Sequence, residues 1–429
     1  MTSRLIPQAE AMFFPENTPL PVEITSLIVD SVMVTCTTKE ARFTLRSCLV
    51  LSRSFWLSAR EKLFRVLNID ETLGREAAHR LASLLSLVRP HDALSIVPCI
   101  RELSISFDSP MFESVLDDRN GTLADILTNL SSPGSQVTHF SLQCDEEPGL
   151  NWVNISTYLN RAIRQFTKIG TLDAVVIRNV YNLPIPFFHG GHFHDLRLAG
   201  TSYRLSQMVP MLTDAGDFVM RDPEAGPGPP PSLHSLSTHN DSLLLCFARP
   251  NEAPLATLHS FKTSVFATTC IENIGLVFQQ AYQSLETCSL KLRPQSNSIS
   301  NLPKFDALHR LTTLELLIPI DIQSNMEDPL IPVASLLNIS APISRQVHMT
   351  VIFLSSRKMD IHLINHGRWN PIDRNLADPM KFGAAGTKEI ELRGPGSNSP
   401  AGLKVRGWLQ KSGLRRCFSA GRSPYRLRV

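Results

Sequence analysis

Apolar positions along the chain follow two different rhythms. Near the N-terminus Leu20, Ile24, Leu27, Ile28 and Val32 recur at helical spacing and predict an amphipathic helix opening at Leu20-Pro21-Val22-Glu23-Ile24. Pro21 suits a first helical turn, and Glu23 favours the positive end of the helix dipole. After a polar interval, Phe43 to Ser52 predicts a second helix and Phe55 to Phe64 a third. Residues 45 to 64 alone hold Leu45, Cys48, Leu49, Val50, Leu51, Phe55, Trp56, Leu57, Leu63 and Phe64. That is more apolar surface than one face hides, and three short helices cannot bury it among themselves. Something else has to cover it.

From about residue 100 the rhythm becomes apolar-x-x-apolar-x-apolar. It appears at Ile100-Leu103-Ile105, Val137-Phe140-Leu142, Leu172-Val175-Ile177, Phe193-Leu196-Leu198, Leu285-Cys288-Leu290 and Leu311-Leu314-Leu316, with weaker copies starting at Leu233 and Leu255. The last two apolar positions are two apart and share one face of a short strand. Helical periodicity returns between copies, at Ile155 to Phe166 and Ile274 to Leu285. A strand followed by a helix or loop, repeated, predicts an α/β chain organised as an irregular leucine-rich-repeat-like solenoid. The starts are 21 to 40 residues apart, so an ordinary α/β domain with scattered buried strands is the alternative.

These patterns predict a flexible N-terminus (1–17), a short three-helix unit (18–70) and a leucine-rich-repeat-like α/β domain (71–395). The prolines and glycines of RDPEAGPGPPP place a surface loop near 221–231. A basic flexible tail (396–429) is expected to follow, since Gly, Ser, Pro and Arg dominate there.

Composition narrows the class. With 43% hydrophobic and 19% charged residues in 429, wholesale disorder is excluded. The net charge of +3 is unevenly placed: Lys404, Arg406, Lys411, Arg415, Arg416, Arg422, Arg426 and Arg428 crowd the last stretch without an acid, so the rest is net acidic. Such a tail permits contact with acidic protein or nucleic acid, or nuclear import. Only Trp408 accompanies it as an aromatic, so a solvated tail is expected and nucleic acid is not an expected partner. Eight cysteines without a CxxC pair read as reduced thiols. Neither a secretory signal nor a run of about 18 apolar residues is seen, which predicts a soluble cytoplasmic or nuclear protein without a membrane partner.

With the helices placed, residues 19 to 69 resemble an F-box, particularly the divergent fungal type. Leu20-Pro21-Val22-Glu23-Ile24 looks like the family's Leu-Pro-x-Glu-Ile start. Leu45 to Ser54 resembles its second block ending in Ser-Arg-Ser, and Lys62-Leu63-Phe64-Arg65 its closing Leu-Phe element. Phe55 stands where the family commonly has tryptophan, with Trp56 one position later. The resemblance implies a substrate-recognition subunit of an SCF-type E3 ubiquitin ligase: the F-box binds the adaptor, and the C-terminal domain selects a target protein still to be identified. Leu20, Pro21, Ile24, Ile28, Leu45, Leu49 and Phe55 are the adaptor-binding candidates. If binding uses the strand faces, Glu102, Ser104, His139, Ser141, Asp195, Arg197, Thr313 and Glu315 are the target-binding candidates. The alternative without a ligase is an interaction scaffold built on the same repeats.

Catalytic signatures are scarce. FFHGGHFHDLRL places His189, His192, His194 and Asp195 within seven positions, and two histidines sharing a strand face can bind zinc. A metal-dependent hydrolase on that cluster is the enzyme alternative. It lacks an announced third ligand and second shell, and Phe193-Leu196-Leu198 is already a strand, so no metal, cofactor or catalytic residue is expected. There is no GxSxG elbow, Walker-type GxxxxGK or GxGxxG after a strand. The chain reads as a non-catalytic receptor.

Overall fold

The computed structural model describes residues 20–70, 75–89, 95–107, 121–145, 149–201, 209–212, 218–221, 229–239, 244, 247, 254–265, 268–292, 308–320, 334, 346–353, 366–378, 387–393 and 425–428. Two compact units divide the chain, Met1–Val176 and Ile177–Val429. The expected flexible N-terminus, 1–17, lies outside the described residues, as does the expected tail except for a strand at 425–428.

In the first unit three helices come first: α1 (Val22–Thr35), α2 (Thr38–Cys48) and α3 (Arg53–Phe64). The second begins earlier than apolar periodicity suggested, because Thr37 and Glu40 form a capping box. The Thr37 hydroxyl accepts from the Glu40 N–H at 3.4 Å, and the Glu40 carboxylate accepts from the Thr37 N–H at 3.1 Å. Two orphan donors are satisfied reciprocally, and a polar stretch becomes helix. Ser52 caps α3 by accepting from the Phe55 N–H at 3.3 Å. Val29, Leu45, Cys48 and Ala59 form the small core between the helices, with Val32, Leu49, Phe55 and Leu63 half-buried against it. An ion pair from Lys62 to Asp30 at 2.7 Å ties α3 to α1.

Strand β1 (Val66–Asp70) follows, then α4 (Arg75–Leu87), β2 (Glu102–Phe107), α5 (Thr122–Leu130), β3 (His139–Cys144), the short β4 (Leu150–Asn151), α6 (Thr157–Phe166) and β5 (Ala174–Arg178). β1 pairs with β2 and β2 with β3, all parallel and in chain order, and β5 lies beside β3. Leu103, Ile105 and Phe107 of β2 and Phe140, Leu142 and Cys144 of β3 are buried on one side, together with Leu127, Leu159, Ile163 and Phe166 from the helices. Phe140 and Phe166 meet edge to face at 5.1 Å, a geometry the ring quadrupoles favour.

The second unit continues in the same style. After β6 (Val180–Tyr181), β7 (Asp195–Ala199) and an antiparallel pair, β8 (Val209–Leu212) with β9 (Phe218–Arg221), come β10 (Ser235–Thr238), β11 (Ser260–Val265), α7 (Thr268–Gln280), β12 (Thr287–Leu292), β13 (Thr313–Ile320), β14 (Gln346–Phe353), the helix His366–Ala377, β15 (Thr387–Arg393) and β16 (Tyr425–Arg428). Strands β7, β10, β11, β12, β13, β14, β15 and β16 pair in that order, each parallel to the next. Leu196, Leu198, Leu236, Phe261, Cys288, Leu290, Leu314 and Leu316 are buried beneath them. The expected loop at 221–231 falls largely outside the described residues; Arg221 ends β9, and Pro229 to Pro231 lead into β10.

One backbone device recurs in both units. Where a strand starts, two successive N–H groups converge on one carbonyl at the start of the preceding strand. Arg101 and Glu102 donate to Arg65 O at 2.8 and 3.0 Å, and Thr138 and His139 to Arg101 O at 2.8 and 3.1 Å. In the second unit His234 and Ser235 donate to His194 O, His259 and Ser260 to His234 O, and Glu286 and Thr287 to His259 O, all between 2.9 and 3.0 Å.

The architecture is therefore an α/β fold on large parallel sheets. It corrects the expected short N-terminal three-helix F-box-like unit followed by an irregular leucine-rich-repeat-like solenoid. The three helices belong to the same compact unit as β1 to β3 and α4 to α6. The returns between strands also differ in kind: nine- and ten-residue helices at α5 and α6, the β8–β9 ribbon before β10, and thirteen residues at α7. The apolar-x-x-apolar-x-apolar pattern specifies a parallel strand with one sealed face. It identifies strands without fixing what connects them.

Replacing Phe140 with Ala should cost about 3 to 5 kcal/mol, read by denaturant unfolding, whereas Ser141→Ala on the opposite strand face should stay within about 0.5 kcal/mol. Cys36 is half-exposed while Cys48, Cys99, Cys144 and Cys288 are buried. A thiol-alkylating reagent applied to the folded chain at about pH 8 should modify Cys36 well before those four, as peptide mass spectrometry would show.

Candidate functional site

Two surfaces stand out, one apolar and one polar. The apolar one is on the N-terminal helices. α1 is apolar on nearly every side, yet only Thr25 and Val29 are fully buried, with Val32 half-buried one turn on. A helix apolar all round is normally enclosed. Here Leu20, Ile24 and Leu27 remain 47%, 43% and 65% exposed, and Ile28, Met33, Val34, Val50, Leu51 and Leu57 are also exposed. Phe43 on α2 projects with 74% of its surface in solvent.

Of the expected adaptor-binding residues, Leu20, Pro21, Ile24 and Ile28 lie on this surface. Leu49 and Phe55 are half-buried against the helical core. Leu45 is 1% exposed and belongs inside. Its placement is a correction, and the reason is packing: Ala41, Leu45 and Cys48 form the buried side of α2, and Leu45 and Cys48 share the core with Val29 of α1 and Ala59 of α3. The expected apolar stripe of α1 is likewise displaced: the chain's own core takes Thr25 and Val29, leaving Ile24, Leu27 and Ile28 outside. Leu27, Phe43, Val50 and Leu51 were not singled out in the sequence as interface residues. Phe43 was placed on the predicted second helix, but nothing in its surroundings said which way it faces. Trp56 lies under the Arg60 guanidinium, Cζ 4.2 Å from the ring centroid, a cation–π contact. Arg60 Nε and Nη1 are buried without a hydrogen-bond partner among the described residues.

In each unit the strand face opposite the core is polar. Every expected target-binding residue sits on the open face of its own unit, half-buried or exposed, and within each unit strand register brings them into rows. Glu102 lies opposite His139, and Ser104 opposite Ser141. In the second unit one row runs Asp195, Ser235, Ser260, Thr287, Thr313, and the next runs Arg197, Ser237, Lys262, Ser289, Glu315. Arg197 donates through Nε and Nη2 to Asp195 Oδ2 at 3.0 and 2.6 Å, which holds its guanidinium pKa above the ordinary value. Beneath the face, burial and then the Glu315 charge push the Cys288 thiol far up, so it stays protonated and unreactive. Tyr158 donates to Asp125 at 2.8 Å, and that hydrogen bond with the carboxylate charge raises its phenol.

A cavity of about 230 Å³ opens where α3 runs into β1, lined by Glu61, Lys62, Arg65, Arg101, Glu102 and His139. It is smaller than the roughly 300 to 1,000 Å³ typical of small-molecule sites. Its charges are mixed, and Lys62 is already engaged by Asp30.

The histidine cluster read from the sequence does not converge. His189 is buried, whereas His192 and His194 are exposed. His194 instead stacks on His234, ring centroids 4.6 Å apart, and His234 meets His259 edge-on at 5.5 Å. These three come from successive strand starts, 25 to 40 residues apart in sequence, so local spacing could not announce them. Among the described residues no group of three His, Cys, Asp or Glu side chains is arranged to hold a metal ion, and no helix is long and apolar enough to cross a membrane.

No protein-family model matches the chain, and no curated protein is similar enough to count as a relative.

Proposed function

We propose that the chain is a non-catalytic substrate-recognition subunit of an SCF-type E3 ubiquitin ligase, working in the cytoplasm or nucleus. It binds the adaptor through α1 to α3 and a target protein through the open strand face. The observation that carries the reading is the exposed apolar surface of α1, with Leu20, Ile24, Leu27 and Ile28 outside the chain's own core. It coincides with the segment that resembles an F-box start. Isolated exposed leucines need no explanation, but a contiguous apolar surface on a monomer marks an interaction site. Covering one Leu, Ile or Phe side chain is worth about 1.5 to 3 kcal/mol, so a handful outweighs the entropy lost on association. The polar, hydroxyl-rich strand face has the complementary character: it suits selection of a polar segment.

Full-length protein co-expressed with the adaptor should co-purify with it, and Leu20→Asp with Ile24→Asp should abolish that. Both side chains are exposed, so unfolding by denaturant should shift by no more than about 0.5 kcal/mol per site, in contrast to Val29→Asp, which places a charge in the helical core. Undiminished adaptor binding by the double variant, or none by the natural chain, would rule the reading out.

A further inference from the structure

The cavity at the foot of α3 gathers opposite charges that leave one another unpaired, and it lies wholly within the first unit. Glu61 and Arg65 stand four residues apart at the end of α3, a spacing at which helices commonly join an acid to a base. Arg101 occupies the next strand start, its N–H donating to Arg65 O at 2.8 Å. Glu102 follows directly, opposite His139 of β3. All five residues line the same space of about 230 Å³. Yet among the described residues neither carboxylate makes an ion pair or a hydrogen bond with either guanidinium. Lys62 beside them does find an acid, Asp30 at 2.7 Å.

The rest of the lining adds hydrogen-bonding capacity and no apolar wall. The Thr138 hydroxyl donates to Arg101 O at 3.2 Å and lies 2.8 Å from His139 Nδ1. With its hydrogen committed to the carbonyl, the hydroxyl accepts from Nδ1–H, and Nε2 of the neutral ring is left as an acceptor. Glu61, Arg65 and His139 are exposed, while Arg101, Glu102 and Thr138 are half-buried, so a ligand enters from solvent and settles against the sheet. Two cations therefore face two anions across a space that none of them fills. A simple anion placed there meets Glu61 and Glu102, and a simple cation meets Arg65 and Arg101. Only a molecule carrying both signs is complementary to the whole set.

We propose that this cavity binds a free α-amino acid with a small or polar side chain. Arg65 and Arg101 hold its carboxylate, and Glu61, Glu102 and His139 Nε2 receive its ammonium. A guanidinium donates two parallel hydrogen bonds to a carboxylate. An ammonium has three hydrogens and no lone pair, and two carboxylates and an imidazole nitrogen supply one acceptor for each. The volume equals roughly eight molecules of liquid water at about 30 Å³ each, enough for an amino acid and too little for a nucleotide. Without an apolar wall, large aliphatic and aromatic side chains have nothing to pack against. None of these residues belongs to the adaptor surface, so the inference is independent of the ligase reading.

The test follows the melting temperature of the full-length protein with each common L-amino acid, and with succinate, putrescine and glycine betaine alongside. At least one small or polar amino acid should raise it saturably by a few degrees, and titration calorimetry should give its dissociation constant. Succinate carries only carboxylates and putrescine only ammonium groups; glycine betaine has both charges but no N–H to donate. None of the three should match the amino acid. Arg101→Gln and Glu102→Gln should each weaken amino-acid binding at least about tenfold and leave the melting temperature of the unliganded protein unchanged. Glu102→Gln should also bind succinate more tightly than the natural chain does, because an acid that repels it is gone. That gain cannot come from misfolding. A flat response to every amino acid at about 10 mM, above even millimolar dissociation constants, overturns the proposal. So does equal binding of succinate, putrescine or glycine betaine, and so does amino-acid binding that both substitutions leave intact.

Discussion

The structure depends on a backbone constraint: at seven strand starts two consecutive amides share one carbonyl of the neighbouring strand. Arg65 O, Arg101 O and Thr138 O receive such pairs in the first unit, and His194 O, His234 O, His259 O and Glu286 O in the second. A carbonyl has two lone pairs, and filling both leaves no orphan at a point where the chain turns from loop into strand. It also fixes register, because a slip of one residue would carry the buried positions to the solvent side. Leu236, Phe261, Cys288 and Leu314 then fall in one sealed row and Ser235, Ser260, Thr287 and Thr313 in the adjoining open one. A common register therefore creates a hydrophobic core and a polar surface at the same time.

The N-terminal helices obey a different balance. Their internal core is small, with four buried apolar side chains and four partly buried ones. The Thr37–Glu40 box, the Ser52 cap and the Lys62–Asp30 ion pair supply polar anchoring. An exposed ion pair contributes about 1 kcal/mol at most and a cap about as much, so these fix geometry more than they add stability. The geometry they fix leaves Ile24, Leu27 and Phe43 in water. Stability of the isolated chain gains nothing from that, which is why the exposed surface is read as an interface.

The extent to which the sequence revealed this varied with the range of the interactions involved. Strands were legible because Ile100-Leu103-Ile105 or Leu311-Leu314-Leu316 encode burial within six residues, and each of the six full copies lies at an observed strand, whereas the weaker copy starting at Leu255 lies mostly in the turn ahead of β11. The early start of α2 was also written, as Thr37-x-x-Glu40, but apolar spacing drew the boundary at Phe43 because capping chemistry is polar and local. Helix orientation was not legible. α1 has apolar residues on all sides, so periodicity alone could not choose between the Ile24–Leu27–Ile28 side and the Thr25–Val29 side. Partners decided it: Ala59 of α3 and Leu45 and Cys48 of α2 seal the second. The overall architecture was misread for a related reason. A strand motif reports its own face and is silent on the connections, which here range from helices to an antiparallel ribbon.

Chemistry on the open face was the least legible of all, and parallel pairing explains why. His189, His192 and His194 are close in sequence, yet local structure disperses them into a buried loop position, an exposed loop and a strand start. Arg65, Arg101 and His139 stand 36 and 38 residues apart, and three adjacent strand starts bring them together. In a parallel sheet the chain must travel a full return before a neighbour appears, so residues that act together are always distant in sequence. Their separation is set by the length of the return, which varies freely here, and no fixed spacing can encode it. The rows become visible only through register, and register is fixed by the shared carbonyls. The same hydrogen bonds that hold the sheet therefore determine which charges meet on its surface.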